Sequence, residues 1–365
     1  MDRRAFAASV IARHGLAPGI GAVLLAAVMV TVAACGDDDD QPNGGTPEVE
    51  STRVAGPATL EVTAGGREGV VEIRAFMPAD ITVMVGDTVT WDAPADAHTV
   101  TFLQGGEPSP LIVPDPTSPD DVVLNPAVVE PVPAMRPLAF DGSFALSSGM
   151  FGAGMADPPR VMFTTPGSYA YLCLVHPRMQ GEVSVVEDAD SAVTQGELDA
   201  ESAVLRAQYV EEGEAALLAA QEGGPERAVG PDESSVVRVL AGLSTDHTDV
   251  RAFVPEQLKI EEGDTVVWEN AAAEPHTITF GEPPPFLVEE QRADGTRRLV
   301  ISAEMLNVAL GAFEFVAGEF FHSGLLVENG PLGIQFRLLF PSTGSFAYVD
   351  SLYPDQMTGE IAVGE

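Results

Sequence analysis

Positive charge is what this chain lacks most. Against 55 acidic residues it carries 18 basic ones, and Lys259 is its single lysine. Nucleic acid is thereby excluded as a partner, because neutralising phosphates takes clustered Lys and Arg. The net charge of −37 has two readings, solvation of the surface and steering of a basic partner or a cation. Cysteine is nearly absent as well. Cys35 and Cys173 are the pair, and each sits in a local setting that accounts for it without a disulfide. Long helices are disfavoured by 36 glycines and 29 prolines, which point to many turns and an all-β chain. No Ser-His-Asp arrangement, glycine-rich phosphate loop or pair of catalytic carboxylates stands out, so the chain is not expected to be an enzyme.

The longest apolar run lies at the N-terminus. Asp2-Arg3-Arg4 and Arg13-His14 precede residues 15–34, which are almost wholly apolar and end Val32-Ala33-Ala34-Cys35-Gly36. This ending resembles the lipobox of bacterial lipoproteins. The resemblance implies a signal segment over 1–35, cleavage before Cys35, and lipid attachment to that cysteine. The mature protein would then be extracytoplasmic and lipid-anchored to the cell membrane, on its periplasmic or outer face. The alternative is an uncleaved segment that crosses the bilayer once. Arg3-Arg4-Ala5-Phe6 is faintly similar to a twin-arginine export signal, and the export route stays open. Residues 36–54 begin with Gly36-Asp37-Asp38-Asp39-Asp40; too polar to build a core, they read as a disordered acidic tether.

The remainder repeats itself. Arg74-Ala75-Phe76-Met77-Pro78 returns as Arg251-Ala252-Phe253-Val254-Pro255, and Gly86-Asp87-Thr88-Val89-Thr90-Trp91 returns as Gly263-Asp264-Thr265-Val266-Val267-Trp268. His98-Thr99-Val100-Thr101-Phe102 reappears as His276-Thr277-Ile278-Thr279-Phe280, and Gly167-Ser168-Tyr169-Ala170-Tyr171 as Gly344-Ser345-Phe346-Ala347-Tyr348. Four separated matches at a nearly constant offset mean two copies of one fold, over 55–187 and 234–365. Within a copy, alternation marks short strands. Ile81–Val85 and Thr88–Trp91, joined by Gly86-Asp87, read as a hairpin; residues 181–186 and 359–363 read as closing strands. The pattern predicts two Greek-key β-sandwich domains. The stretch between His98 and Cys173 is rich in proline and expected to wrap the sandwich as loops and short strands.

Residues 188–233 form an acidic linker. Thr194-Gln195-Gly196-Glu197 is a capping box, Leu198, Leu205 and Tyr209 share one helical face, and Gly223-Gly224-Pro225 ends the segment. A linker helix is expected here. It reads as a spacer packed lightly on one domain, or as a partner-binding helix.

The chemistry concentrates at Tyr171-Leu172-Cys173-Leu174-Val175-His176-Pro177-Arg178-Met179-Gln180-Gly181. Cys173, His176 and Met179 share this turn, and His98 lies far upstream. One thiolate, two imidazoles and a thioether are the donor set of a trigonal copper site with a weak axial methionine. Thiolate and thioether favour Cu(I) and imidazole suits both oxidation states, so such a site passes electrons with little rearrangement.

Together with Phe76-x-Pro78, Gly86-Asp87-Thr88-Val89-x-Trp91 and His98-Thr99, this turn resembles the cupredoxins of the plastocyanin and amicyanin kind. The likeness covers about residues 55–187 apart from the insert. It implies one type 1 copper centre, with His98, Cys173 and His176 equatorial and Met179 axial. It also implies that His176 protrudes through an apolar patch, with Leu174 and Pro177, as the electron port. The partner would be a redox protein, such as a cytochrome or a membrane oxidoreductase. Storage or delivery of copper at the cell surface is the rival reading, with Met150 and Met155 as extra soft ligands or plain core fillers. A structural or adhesive surface module is a third. Copper oxidases and nitrite reductases built from such domains need His-x-His pairs or a histidine beside the cysteine. Here Cys173 is flanked by Leu172 and Leu174, and none of the six histidines forms such a pair.

The second copy departs from the pattern. Asp350 stands at the position of Cys173 and Tyr353 at that of His176, while His276 and Met357 persist. A degenerate, structural domain is expected. A residual site of His276, Asp350 and Met357, helped by His322, and the docking of a partner are the alternatives.

Overall fold

The structure, a computed structural model, describes residue 53 and residues 56–131, 138–176, 178–229, 235–291, 295, 297–306, 313–328 and 332–365. The signal segment with Cys35, the tether apart from Arg53, and Pro177 lie outside the described residues. The first half runs β1 (Thr59–Glu68), β2 (Val71–Met77), β3 (Asp80–Met84), β4 (Thr88–Asp92), β5 (Thr101–Phe102), β6 (Ile112–Asp115), β7 (Ser118–Leu124), β8 (Leu138–Phe140), β9 (Leu146–Ser147), β10 (Arg160–Phe163), β11 (Gly167–Leu172) and β12 (Gln180–Val186). After a helix over Gln195–Gly223 come β13 (Arg227–Val229), β14 (Ser235–Ser244), β15 (Thr248–Val254), β16 (Gln257–Glu261), β17 (Thr265–Asn270), β18 (Thr279–Phe280), β19 (Leu287–Gln291), β20 (Arg297–Ile301), β21 (Phe321–His322), β22 (Gln335–Leu339), β23 (Gly344–Val349) and β24 (Thr358–Gly364).

Among the described residues the chain is all-β apart from that helix and three short helical turns, and its halves are β-sandwiches. In the first, the sheet β3-β12-β11-β5-β9 faces β2-β1-β4-β10-β8. Alternation does the building: Val89 and Trp91 of β4 point into the core while Thr88 and Thr90 stay half-exposed. Phe76, Trp91, Phe102, Phe140, Phe163 and Tyr171 fill the space between the layers. In the second half, β16-β24-β23-β18-β21 has the same order from the aligned strands, around Trp268, Phe280, Phe340 and Tyr348.

The expected hairpin is not formed. β3 pairs with β12 and β4 with β1 and β10, so the two strands belong to opposite sheets. The Gly86-Asp87 turn is a corner between layers. The Asp87 carboxylate accepts from the backbone N–H of Met84 at 2.7 Å and of Ala58 at 2.7 Å, and Gly86 N–H donates to the Phe163 carbonyl. The turn also closes on itself, Asp87 N–H donating to the Met84 carbonyl at 3.0 Å, while the bonds to Ala58 and Phe163 tie it to the other sheet.

The halves are fused more closely than a linker requires. β2 and β15 pair antiparallel, with Ile73 opposite Thr248, Glu72 opposite Asp249 and Val71 opposite Val250. One ten-stranded sheet therefore runs through both, in the order β22-β17-β14-β15-β2-β1-β4-β10-β8, with β13 added beside β14. The inserts also meet: β20 pairs with β7 in the sheet β19-β20-β7-β6. There Arg298 reaches Asp115 at 2.7 Å, Asp121 at 2.6 Å and Glu290 at 2.6 Å.

The linker helix begins at the predicted capping box, Thr194 and Glu197 bonding reciprocally, and ends at Gly223 before Gly224 at φ +65°. Its position is the surprise. Tyr209 and Leu205 pack on Ile73, Ala75 and Met77 of β2, while Leu198 enters the first core. A Cβ on Gly213 would lie 2.5 Å from Val71 and 3.1 Å from Thr248, so the helix touches both strands of the seam. It clamps the junction rather than spacing two domains. Among the described residues no helix is long and apolar enough to cross a membrane.

Candidate metal centre

His98 follows β4 and is fixed by a two-way backbone bridge to Phe151, 3.0 Å in each direction. Cys173 directly follows β11, its N–H donating to the Met179 carbonyl, while Met179 N–H donates to the carbonyl of His176. These bonds close the predicted ligand turn. Thr99 locks the two segments together: its N–H lies 3.3 Å from Cys173 Sγ, and its hydroxyl accepts from Leu174 N–H at 2.7 Å.

Three of the four predicted ligands converge. Cys173 Sγ stands 3.8 Å from His98 Nδ1 and 3.6 Å from His176 Nδ1, and the two nitrogens are 3.1 Å apart. A point equidistant from the three atoms lies about 2 Å from each, close to metal–imidazole and metal–thiolate bond lengths. All three residues are buried, and they form the one His/Cys/Asp/Glu group of metal-binding spacing among the described residues. Met179 is buried in the same core, at the end of the turn.

The protonation states of two of the three donors suit ligation. Burial disfavours a Cys173 thiolate, yet the His176 charge and hydrogen bonds from His176 and His98 hold the thiol well below its usual range. Burial pulls His98 down, towards the neutral form that ligates, against the hydrogen bond to Cys173. For His176, burial and Arg74 favour the neutral ring, but Cys173 and Glu274 prevail and raise it to about 9. Cys173 is thereby biased towards the thiolate that ligates, and His176 towards a proton that a metal would have to displace.

Two parts of the surroundings were not predicted. The first is Gly65, at φ +69°, whose missing Cβ would come 2.4 Å from His98 Nε2. The ring lies against bare backbone, and the only sequence signal was Gly242 at the same place in the second copy, where a Cβ would meet His276 Nε2 at 2.2 Å. The second is the seam between the halves. His176 does not protrude: it is 9 % exposed, and Leu174 beside it is buried. Its Nε2 lies 3.2 Å from Glu274 of the second half. Glu274 belongs to a buried ionic network built on the repeated Arg-Ala-Phe motif. Arg74 contacts Asp249 at 3.1 Å, Asp96 at 3.1 Å and Glu274 at 2.6 Å, and Arg251 contacts Glu72 at 3.3 Å and also Asp96. The implied exit through an exposed apolar patch is therefore corrected, because the second copy covers that face.

In the second half, Asp350 occupies the thiolate position and binds His276 Nδ1 at 2.6 Å. Its other oxygen accepts from the Thr277 hydroxyl at 2.9 Å and Leu352 N–H at 2.8 Å. The backbone bond survives, with Asp350 N–H donating to the Met357 carbonyl. A hydrogen-bonded pair fills the space that three ligands fill in the first half. His322 is engaged elsewhere, by the Thr279 hydroxyl at 2.8 Å and the Met305 carbonyl at 3.3 Å. Tyr353, at the place of His176, donates to Glu274 at 2.9 Å beneath the Arg251 guanidinium.

A scan against known protein families matched none, and no curated protein matched the chain. Among solved structures, the Cu(I) form of a methionine-to-glutamine variant of amicyanin is similar to this chain at 23 % identity. The match covers 35 % of this chain and 82 % of that one, with a TM-score of 0.22. The Cu(I) form of a methionine-to-alanine variant gives 25 %, 36 % and 86 %, also at 0.22. Amicyanin from Paracoccus versutus gives 20 %, 35 % and 81 %, at 0.21. At these scores the weight rests on the strands and the donor triangle.

Proposed function

We propose that the protein is an extracytoplasmic electron carrier that holds one copper ion at His98, Cys173 and His176, with Met179 as the weak axial ligand. The donor triangle carries this reading. Two imidazole nitrogens and one thiolate lie about 2 Å from a common centre in a buried pocket. Bound there, copper supplies a one-electron Cu(II)/Cu(I) couple. The chain supplies rigidity: the Phe151 bridge, the Thr99 bonds and the closed turn fix all three donors before any metal arrives. Ligands that need not move between oxidation states cost little reorganisation. The buried setting also favours exchange of electrons over exchange of the metal, which supports the carrier reading above delivery. Cys35, read as a lipid-attachment site, would tether the carrier at the membrane to a redox partner such as a cytochrome.

The test is copper stoichiometry and visible absorption of the full chain purified in detergent. One copper per chain and an intense blue colour on oxidation are expected, lost in Cys173→Ser and kept in His276→Ala. Two coppers per chain, or colour that survives the Cys173 change, would refute the proposal.

A further inference from the structure

The two ligand histidines are held in different ways. His98 presents Nδ1 to the site while its Nε2 finds no hydrogen-bond partner and rests against Gly65. His176 also presents Nδ1, but its Nε2 faces a carboxylate from the other half of the molecule, at 3.2 Å. An ionised carboxylate only accepts, and a neutral imidazole has one N–H and one lone pair. A proton on Nε2 therefore leaves the Nδ1 lone pair for a metal.

Glu274 is itself fixed on every side. Arg74 lies 2.6 Å from Oε1, the oxygen that meets His176, and the Tyr353 hydroxyl donates to Oε2 at 2.9 Å. Arg74 is anchored in turn by Asp249 and Asp96, and the Arg251 guanidinium lies 3.7 Å above the Tyr353 ring. Tyr353 thus occupies the position of a lost ligand and now holds the residue that holds the surviving one.

We propose that Glu274 is a positioning residue for His176, accepting its Nε2–H so that Nδ1 stays aimed at Cys173 and His98. The second half thereby completes the metal centre of the first, a role that rests on the copper reading above for the identity of the metal. The carboxylate raises the basicity of the ligand ring, as outer-sphere partners of metal-bound histidines do, and losing such a partner weakens metal binding by about 10–100-fold.

The test uses the full chain and two measurements. In metal-free wild type, NMR of ¹⁵N-labelled histidine should show a slowly exchanging proton on His176 Nε2. With Co(II) as the probe metal, Glu274→Ala should bind about 10–100-fold more weakly and lose that proton signal. Glu274→Gln should keep the signal, its amide oxygen facing His176 and Arg74 and its NH₂ facing Tyr353, with an affinity between the two. Glu212→Gln alters a seam contact outside this network, that with His247 at 3.1 Å, and should leave Co(II) affinity unchanged. The proposal is overturned if wild type shows no protected Nε2–H, or if Glu274→Ala matches wild type. It is equally overturned if Glu274→Gln is as weak as Glu274→Ala, or if Glu212→Gln weakens binding as much. Failure of the copper reading is separate: Cys173→Ser would then bind Co(II) as tightly as wild type.

Discussion

Glu72 lies fully buried at the seam, its two oxygens near Arg74 at 3.7 Å and Arg251 at 3.3 Å. The network around it has four carboxylates, Glu72, Asp96, Asp249 and Glu274, but only two guanidiniums, Arg74 and Arg251. One proton relieves the excess. Burial and the neighbouring Asp96 raise Glu72 to about 7, against the pull of both arginines. The sign follows from linkage. Below pH 4.5 both folded and unfolded chains carry the proton, and its stabilising effect is complete. From there to about pH 7 the unfolded chain sheds a proton that the folded chain keeps, so stability falls as pH rises. A shift from 4.5 to about 7 corresponds to roughly 3 kcal/mol lost across that window. Glu72→Gln imitates the protonated form and removes the dependence. Urea unfolding of the metal-free protein, followed by the fluorescence of Trp91 and Trp268 (one in each core), measures both chains. Titration of Cys173 and His176 is common to both and cancels. Relative to the variant, wild type should lose roughly 3 kcal/mol between pH 5 and pH 8. A difference that stays flat, or that grows in favour of wild type, would refute the reasoning and mean that the arginines keep Glu72 ionised.

Two further outcomes probe close approaches of backbone. Gly65→Ala places a Cβ where His98 Nε2 now lies, on a residue at φ +69°, and should cost roughly 1–3 kcal/mol while weakening metal binding. Gly242→Ala should destabilise the second half by a similar amount and leave metal binding alone; an unchanged melting temperature and metal spectrum for Gly65→Ala would dismiss the cradle. Gly213→Ala sets helix propensity, a gain of about 1 kcal/mol, against a contact of 2.5 Å with the stiff, buried Val71. The clash should win, with thermal unfolding showing a net loss of roughly 1–2 kcal/mol, whereas a stabilised variant would mean that the helix does not clamp the seam.

Much of the site was legible because its signals are local. Cys173, His176 and Met179 share one turn, and Thr99 follows His98 directly, so the candidate donors and their spacing could be read without a fold, while the meeting of His98 with Cys173 and His176 could not. The capping box of Thr194 and Glu197 and the glycine pair at 223 and 224 marked the ends of the linker helix for the same reason. The hairpin over Ile81–Trp91 misled because alternation and a Gly-Asp turn describe a corner as well as a hairpin. Only the pairing of β3 with β12 and of β4 with β1 and β10 decides between them. Gly65 and Arg74 were visible as repeated residues, but repetition gave no hint that one backs a ligand or that the other holds Glu274.

The sequence by itself determined much of the strand pattern, the recurring motifs, and the Asp350 and Tyr353 that stand in the second half where Cys173 and His176 stand in the first. Each follows from residue type and short-range spacing, which folding does not alter. The tertiary structure alone decided that β2 and β15 pair edge to edge and that the inserts share a sheet. It also decided that the second half covers His176 with Glu274. Strand alternation says which face of a strand is apolar but not which strand will satisfy its free edge. Contacts between residues nearly half the chain apart exist only after that choice is made.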